Sequence, residues 1–452
     1  MRAEPRGRRK QSGGSGNRSL ITFLAVLIVV PLVFSTVDFD SLSAPAATVG
    51  QVAVMAPNPF SRILKLSVLL FGALVALSHM REARAVLRQA NPFFLTFLVL
   101  AIMSALWSAD QSATIARYVS MSSVVFASFA FSLVGWHRQR LQDVVRPVLT
   151  LLVALSLIYN VAMGPLALDP DKAGYHGLSG QKNPYGWQCA ICALLWMHAW
   201  ISGEEKTWKA IAGAALAWTG LWLSKSSTSL LATAFASWLM FMLLRNPPAL
   251  RRYTRYMVGV FACLVIAYAF AVLQLVPGLA TILLGPIMAI TGKDMTFSNR
   301  AAIWDIIKEH AQLHPLLGTG FGAYWTGPVP SSPSYVFLGR MYFWPSEAHN
   351  GYLDVYNDLG VVGVLILLGF LTVFVRQSLR VFAVDRVQGT FYLGLFFQQA
   401  MNNLSESLWF SPMGNLPTLI VTLATFTLAR ALWDQQQSRA LLRRQLAVRQ
   451  PR

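Results

Sequence analysis

Between residues 347 and 363 the chain reads EAHNGYLDVYNDLGVVG, which sets Glu347, His349, Asn350, Asp354, Asn357 and Asp358 immediately before a long apolar run. Ionisable groups at a bilayer are costly and mark functional positions. A neutral imidazole can take a proton from a hydroxyl nucleophile near pH 7, so His349 is a candidate general base. Glu347 or Asp354 could orient it. On a helix, Asn350, Asp354, Asn357 and Asp358 share one face through i, i+3 and i+4 spacing. The competing reading is a helix cap, with Asn350 as N-cap and His349 merely interfacial. Gly360 and Gly363 suit close helix packing better than a phosphate loop.

A second cluster lies upstream. In FSNRAAIWDIIKEHAQLHPLLGTGFGAYW (297–325), Ser298 or Asn299 can cap a helix whose first turn carries Arg300. A cation is unfavourable at that helix end, so Arg300 calls for an anionic partner. A guanidinium beside free helix amides suits a diphosphate; Asp305 or Glu309 could serve instead. GTGFGAYW lacks the following lysine of a phosphate loop and reads as a turn with an aromatic interface anchor. Lys182 and Asn183, in HGLSGQKNPYGW (176–187), and Lys225, Ser226 and Thr228, in LSKSSTSLL (223–231 from its first leucine), add further phosphate-binding donors, although either lysine could simply snorkel at an interface. Asp38-Phe39-Asp40 and Asp169-Pro170-Asp171 resemble metal-binding pairs but read as loop carboxylates, and no metal is expected. Cys189 and Cys192 sit in an apolar run with no second pair, as buried helix residues do.

The elements that must position these groups follow from composition. Of 452 residues 55% are hydrophobic and only 12% charged, against about 25% charged in soluble domains. The apolar residues fall in blocks of about 20, the length that crosses the hydrocarbon core. The expected fold is an all-α polytopic membrane protein with about 12 transmembrane helices, near 20–36, 63–80, 91–108, 114–136, 143–164, 183–201, 207–223, 226–244, 255–274, 353–375, 388–405 and 412–432. With the N-terminus in the cytosol, 27 of the 37 basic residues fall on the cytosolic side, which the positive-inside rule requires. The formal charge of +18 is then a topology signal plus contact with anionic lipid, and nucleic acid is not an expected partner. The organisation is a basic cytosolic tail (1–19), helices 1–9 (20–274), a long outer loop with short helices (275–352), helices 10–12 (353–432) and a second basic cytosolic tail (433–452). Twelve of the 19 carboxylates lie outside, so the polar chemistry collects on the outer face, away from nucleotide donors.

The His349-Asn350 pair followed nine residues later by Gly360-x-x-Gly363, RAAIW in the long outer loop, WSADQSATIARYVSM (107–121), KNPYG (182–186) and GTGFGAYW (318–325) together resemble the O-antigen ligase and bacterial polysaccharide polymerase superfamily. The likeness is greatest to its exopolysaccharide-polymerase branch and covers roughly residues 90–430. The resemblance implies a type-C glycosyltransferase-like bundle in the bacterial inner membrane, with its active face periplasmic and no cofactor or metal. It implies an undecaprenyl-diphosphate-linked glycan as donor and a hydroxyl of a glycan or of lipid A core as acceptor, transferred with inversion. A flippase and a chain-length regulator would be further partners. By it, His349 is the base or acceptor-orienting residue and Arg300 binds the diphosphate. Lys182, Asn183, Lys225, Ser226, Thr228, Asn350 and Asp354 are the candidate substrate-binding residues. The family's second arginine, in an S-R-[TG] pattern, is absent; Ser226-Ser227-Thr228 stand there, and Lys225 or Lys182 is its candidate replacement. Val364 and Leu365 replace the two threonines of the ligase pattern, which favours a polymerase over a ligase. Transporter or flippase, and non-catalytic scaffold, are the readings from other classes.

Overall fold

A computed structural model describes residues 28–37, 59–134, 141–169, 174–245, isolated positions between 256 and 282, 300–412 and 414–449. The described residues form helices and turns, with one isolated antiparallel bridge between Leu168 and Tyr175. After a helical stretch at 28–34, the long helices are α1 (Pro59–Ser78), α2 (Met80–Gln89), α3 (Pro92–Met103), α4 (Gln111–Val134), α5 (Leu141–Met163), α6 (Lys182–Ser202), α7 (Thr207–Leu223) and α8 (Ser227–Arg245). They continue as α9 (Arg300–Ala311), the short α10 (Val336–Met341), α11 (Gly351–Phe382), α12 (Arg386–Asn402) and α13 (Leu416–Arg449).

Among the described residues, six segments are long and apolar enough to cross a membrane: Ser61–Ser78, Gln111–Val134, Leu141–Ala167, Ser227–Arg245, Gly351–Phe382 and Leu416–Arg443. The pair Met80–Gln89 and Pro92–Leu106, bent by 102°, counts as a seventh only if its two helices are one broken span. This is a polytopic helical membrane protein, with fewer clear spans than the twelve expected. The expected ninth span and most of the first lie outside the described residues. Three other expected spans fall on α6, α7 and α12, which are shorter or more polar than a lipid-facing helix. Burial explains α6 and α12. Gln388, Gln398, Gln399 and Asn402 of α12 are buried against protein, and Gln398 donates to the carbonyl of Ala190 and the hydroxyl of Thr233. Side chains that face protein partners need not be apolar.

Local chemistry sets the helix ends. Asn91 caps α3 by accepting the amides of Phe93 and Phe94, Pro92 occupies the first turn, and the Asn91 amide donates to the carbonyl of Phe370 at 2.8 Å. The main core runs through the bundle. At one end it is an aromatic cluster in which Phe410 meets Phe94, Phe97 and Phe370 at ring separations of 5.3, 4.7 and 5.0 Å. The segment after α8 has a separate core of Ile303, Trp304, Ile307, Tyr324, Trp325, Phe337, Ala348 and Leu404. The 300–350 segment is therefore a packed cap on that end of the bundle.

The two glycines of GVVG have different roles. Gly360 breaks α11 at φ 63° and ψ −163°. The segment 315–320 crosses at the break: Thr319 and Gly320 donate to the carbonyls of Asn357 and Asp358 (both 2.9 Å), and Val361 and Val362 donate to those of Pro315 and Leu316 (2.9 and 3.2 Å). The backbone groups freed by the break are thus satisfied by the crossing strand, which a buried interruption requires. A Cβ on Gly360 would overlap the backbone of Leu316, and one on Gly318 would overlap that of Asp358. Gly363 is buried, and a Cβ there would meet Leu359 and Val355 of α11 itself across the break, not a neighbouring helix. Gly360→Ala combines left-handed strain with a backbone clash, so it should destabilise the fold by roughly 3 kcal/mol or more. Thermal unfolding of the detergent-purified variant checks this; a melting curve like that of wild type would refute the close crossing.

Candidate active site

Four segments converge under the cap: the turn before α11, the 403–409 turn between α12 and α13, and the first turns of α6 and α9. Their common point is Glu406. Its side chain is only 4% exposed. Arg300 donates to its Oε1 at 2.8 Å and Asn183 to the same oxygen at 2.9 Å, while His349 Nδ1 lies 3.5 Å from Oε2. Arg300 also donates to the carbonyl of Ser405. The anion expected beside Arg300 is therefore Glu406, 106 residues away. Asp305 and Glu309 pair with Lys308 (3.6 Å) and Arg340 (2.5 Å). The capping residue before Arg300 lies outside the described residues.

His349 sits at φ 51°, a left-handed conformation that non-glycine residues seldom adopt. Its neighbours hold it there. Asp354 Oδ2 accepts the amide of Ala348, the indole of Trp304 donates to the Ala348 carbonyl, Ser407 Oγ accepts the amide of Asn350, and Gly351 N–H reaches the carbonyls of Asn403 and Glu406. Backbone strain of this kind costs about 1–3 kcal/mol and persists where surroundings enforce it. Asp354 Oδ1 accepts the Trp325 indole at 2.8 Å. Trp325 is thus buried within the cap and is not the interface anchor expected of GTGFGAYW.

Glu347 Oε1 lies 3.0 Å from His349 Nδ1, so Glu347 contacts the ring while Asp354 holds the backbone beside it. Burial disfavours the imidazolium, but hydrogen bonds and charge from Glu347 and Glu406 outweigh it and raise the His349 pKa to about 9. Burial pushes the Glu347 carboxyl above its usual range, although His349 opposes this. For Glu406 the balance reverses: burial raises it, Arg300 and His349 outweigh burial, and its pKa falls below the ordinary value. The neighbouring carboxylates therefore favour the protonated ring over the neutral imidazole that a base requires. With Nδ1 turned to the carboxylates, Nε2 is the ring atom left to meet a substrate.

The other candidate residues divide. Asn183 joins the Glu406 cluster. Asn350 is fully buried and caps α11 by accepting the amides of Tyr352 and Leu353, so the capping reading holds for it. Lys182 faces Asp169 at 3.8 Å. Lys225, at φ 54°, lies 5.2 Å from the centroid of the Trp222 ring. The Ser226 hydroxyl is buried and donates to Ser229, so it is committed within the hairpin. Thr228 is half-buried on the same hairpin. That hairpin packs on Gly186, one turn along α6 from Asn183. Cys189 and Cys192 are buried free thiols.

Beside this cluster lies a cavity of about 80 Å³ lined by Glu347, Asp354, Asp358, Arg117, Trp325 and Trp409 among others. Arg117 donates to the carbonyls of Gly322 and Trp325 (2.5 Å to the latter), and Asp358 accepts the amide of Gly322 at 2.7 Å. Those contacts seat the glycine-rich turn. The ligand atoms of Glu347, His349 and Glu406 lie within 4.8 Å of one another, close enough to share one cation. Such an ion would have to displace the His349 proton and sit beside Arg300, which like charge disfavours.

A helical membrane bundle with a capped, charge-compensated site at one end is the class these features define. Residues 212–368 match the O-antigen ligase family. Over 301 residues the chain is 27% identical to the exopolysaccharide production protein ExoQ of Rhizobium meliloti (strain 1021). The alignment covers 64% of this chain and 66% of that protein, just under two-thirds of its length. Both findings support membership of the O-antigen ligase and polysaccharide polymerase superfamily. Glu406 and Asn183 lie outside residues 212–368, the part that matches the family. Neither Glu406 nor Arg117 is a candidate on sequence grounds alone; the one signal for Glu406 is a single carboxylate inside the otherwise uncharged NNLSESLWF.

His349 should titrate near 9, measured by NMR of labelled histidine, and Glu406→Gln should move the midpoint down towards 6.5. Because the folded pKa exceeds the unfolded one, this contribution to stability is complete below about 6.5 and is lost as pH rises through 9. The melting temperature should fall over that window in wild type and less in the variant. An unshifted midpoint in Glu406→Gln would show that Glu406 does not hold the ring.

Proposed function

We propose that the protein is an inner-membrane glycosyltransferase that polymerises undecaprenyl-diphosphate-linked repeats into exopolysaccharide on the periplasmic face, with twelve spans and both termini cytosolic. The observation that carries this reading is the junction of Arg300, Asn183 and His349 on one buried carboxylate at one end of the bundle. An exopolysaccharide production protein among the relatives supports the polymer product.

In this reading the donor diphosphate reaches Arg300 from the membrane and competes with Glu406 for its guanidinium donors. Arg300, with Lys182 and Lys225 on the adjoining turns, stabilises negative charge as the diphosphate departs. His349 acts through Nε2. Once the ring is neutral, its Nδ1–H donates to Glu347, which fixes the tautomer and leaves the Nε2 lone pair to take the acceptor hydroxyl proton. The acceptor oxygen then bonds the anomeric carbon from the face opposite the departing diphosphate, which inverts configuration. The O-antigen ligase family match keeps a second reading in play, transfer to lipid A core. A transporter is disfavoured because the ionic cluster sits at a bundle end and not between broken helices at mid-membrane.

His349→Ala should reduce polymer by about 10²–10⁴-fold while the protein stays in the membrane. Arg300→Lys should also fail, because lysine cannot span two acceptors as guanidinium does. Elongation of a lipid-linked repeat by purified protein is the assay; wild-type rates in both variants would remove His349 and Arg300 from the chemistry, whereas no elongation by the purified wild type together with normal polymer in cells carrying either variant would leave a scaffold. Product on lipid A core in place of long polymer would establish the ligase. With His349 as base, the rate should rise with pH through an apparent pKa near 9; a rate that falls through the same pH would make the imidazolium a proton donor.

A further inference from the structure

At the other end of the bundle, α2 reads MREARAVLRQ and is folded back by 102° from the helix that follows it. It buries Ala83 and Val86 against the bundle and leaves Arg81, Arg84 and Arg88 exposed, with Leu87 and Met80 exposed beside them. Its C-terminal end is fixed: Gln89 and Gln436 exchange amide hydrogen bonds (3.2 and 3.0 Å), and Gln377 donates to the carbonyl of Gln89 at 2.8 Å. The three arginines recur at i, i+3 and i+7, which places them on one helical face. With Trp433 and Gln437 of α13 they line an open hollow of about 470 Å³. Among the described residues no carboxylate is paired with any of the three; Glu82, on the same helix, does not line the hollow. Trp433 stands 17 residues beyond Leu416, so the hollow lies roughly 26 Å along α13 from the Glu406 end. That separation is close to the ~30 Å hydrocarbon thickness.

A surface-lying amphipathic helix with a basic face and an interfacial tryptophan is built for the headgroup zone of a membrane. Unpaired guanidiniums around a concave space lack only an anion of phosphate geometry. We propose that Arg81, Arg84, Arg88 and Trp433 form a binding site for the phosphodiester headgroup of an anionic phospholipid, on the membrane face opposite the catalytic cluster. The arginines grip the phosphate, and Met80, Leu87 and the Trp433 ring lie along the adjoining acyl boundary. This site is independent of the glycosyltransferase reading.

The test is native mass spectrometry of the detergent-purified full chain with equal phosphatidylglycerol and phosphatidylcholine. Wild type should retain phosphatidylglycerol selectively. R81Q/R84Q/R88Q should lose that selectivity, by on the order of fivefold per arginine. R81K/R84K/R88K should keep most of it, and K206Q/K209Q, exposed basic residues elsewhere, should match wild type. Each single glutamine variant supplies a graded loss if the triple variant does not fold. Equal retention in wild type and the glutamine variants, the same loss in K206Q/K209Q, or complete displacement of lipid by excess inorganic phosphate would overturn the proposal. The last outcome would make the hollow a site for soluble phosphate.

Discussion

A carboxylate taken out of water must be compensated, and Glu406 is where this protein meets that demand. It draws Arg300 from the cap, Asn183 from the start of α6 and His349 from the turn before α11 to two oxygens. Losing any one partner would leave charge or a polar atom buried without compensation, at a cost of several kcal/mol. The same contacts set the chemistry. Arg300 favours the ionised form of Glu406, and Glu347 and Glu406, which share Nδ1 of His349, favour the protonated form of that ring. Packing and electrostatics at this end are therefore one problem with one solution.

The second constraint is the interruption of α11. A break in a helix exposes backbone groups, and in a membrane protein those groups need partners in the protein itself. The 315–320 crossing supplies them, and in doing so brings the glycine-rich turn against Asp358 and Arg117. Asp354, about one turn away from the crossing on the same helix, braces Trp325 and the backbone of Ala348. The strained conformation of His349 is held on one side by Asp354 and Trp304 through Ala348 and on the other by Ser407, Asn403 and Glu406 through Asn350 and Gly351.

Much of this is legible in the residues. The apolar blocks announce a helical membrane protein, and ten of the twelve expected spans coincide with described helices. Arg300 in a first helical turn signals a missing anion, and EAHN before an apolar run signals a costly polar cluster. The capping role of Asn350 follows from its type and place. The protonation of His349 does not, because a pKa depends on which charges the fold brings within a few ångströms. Nor does the commitment of the Ser226 hydroxyl to Ser229, or the burial of Trp325, since local sequence carries no record of what packs above it.

The sequence by itself determined the class, the helices and the residues with chemistry to offer, because hydrophobicity and helix spacing are local properties written along the chain. Only the tertiary structure decided their pairing. Arg300 and Glu406 are 106 positions apart, and Asn183 and Glu406 are 223 apart. Interactions across such separations depend on which helix ends meet, and that is set by the packing of the whole bundle.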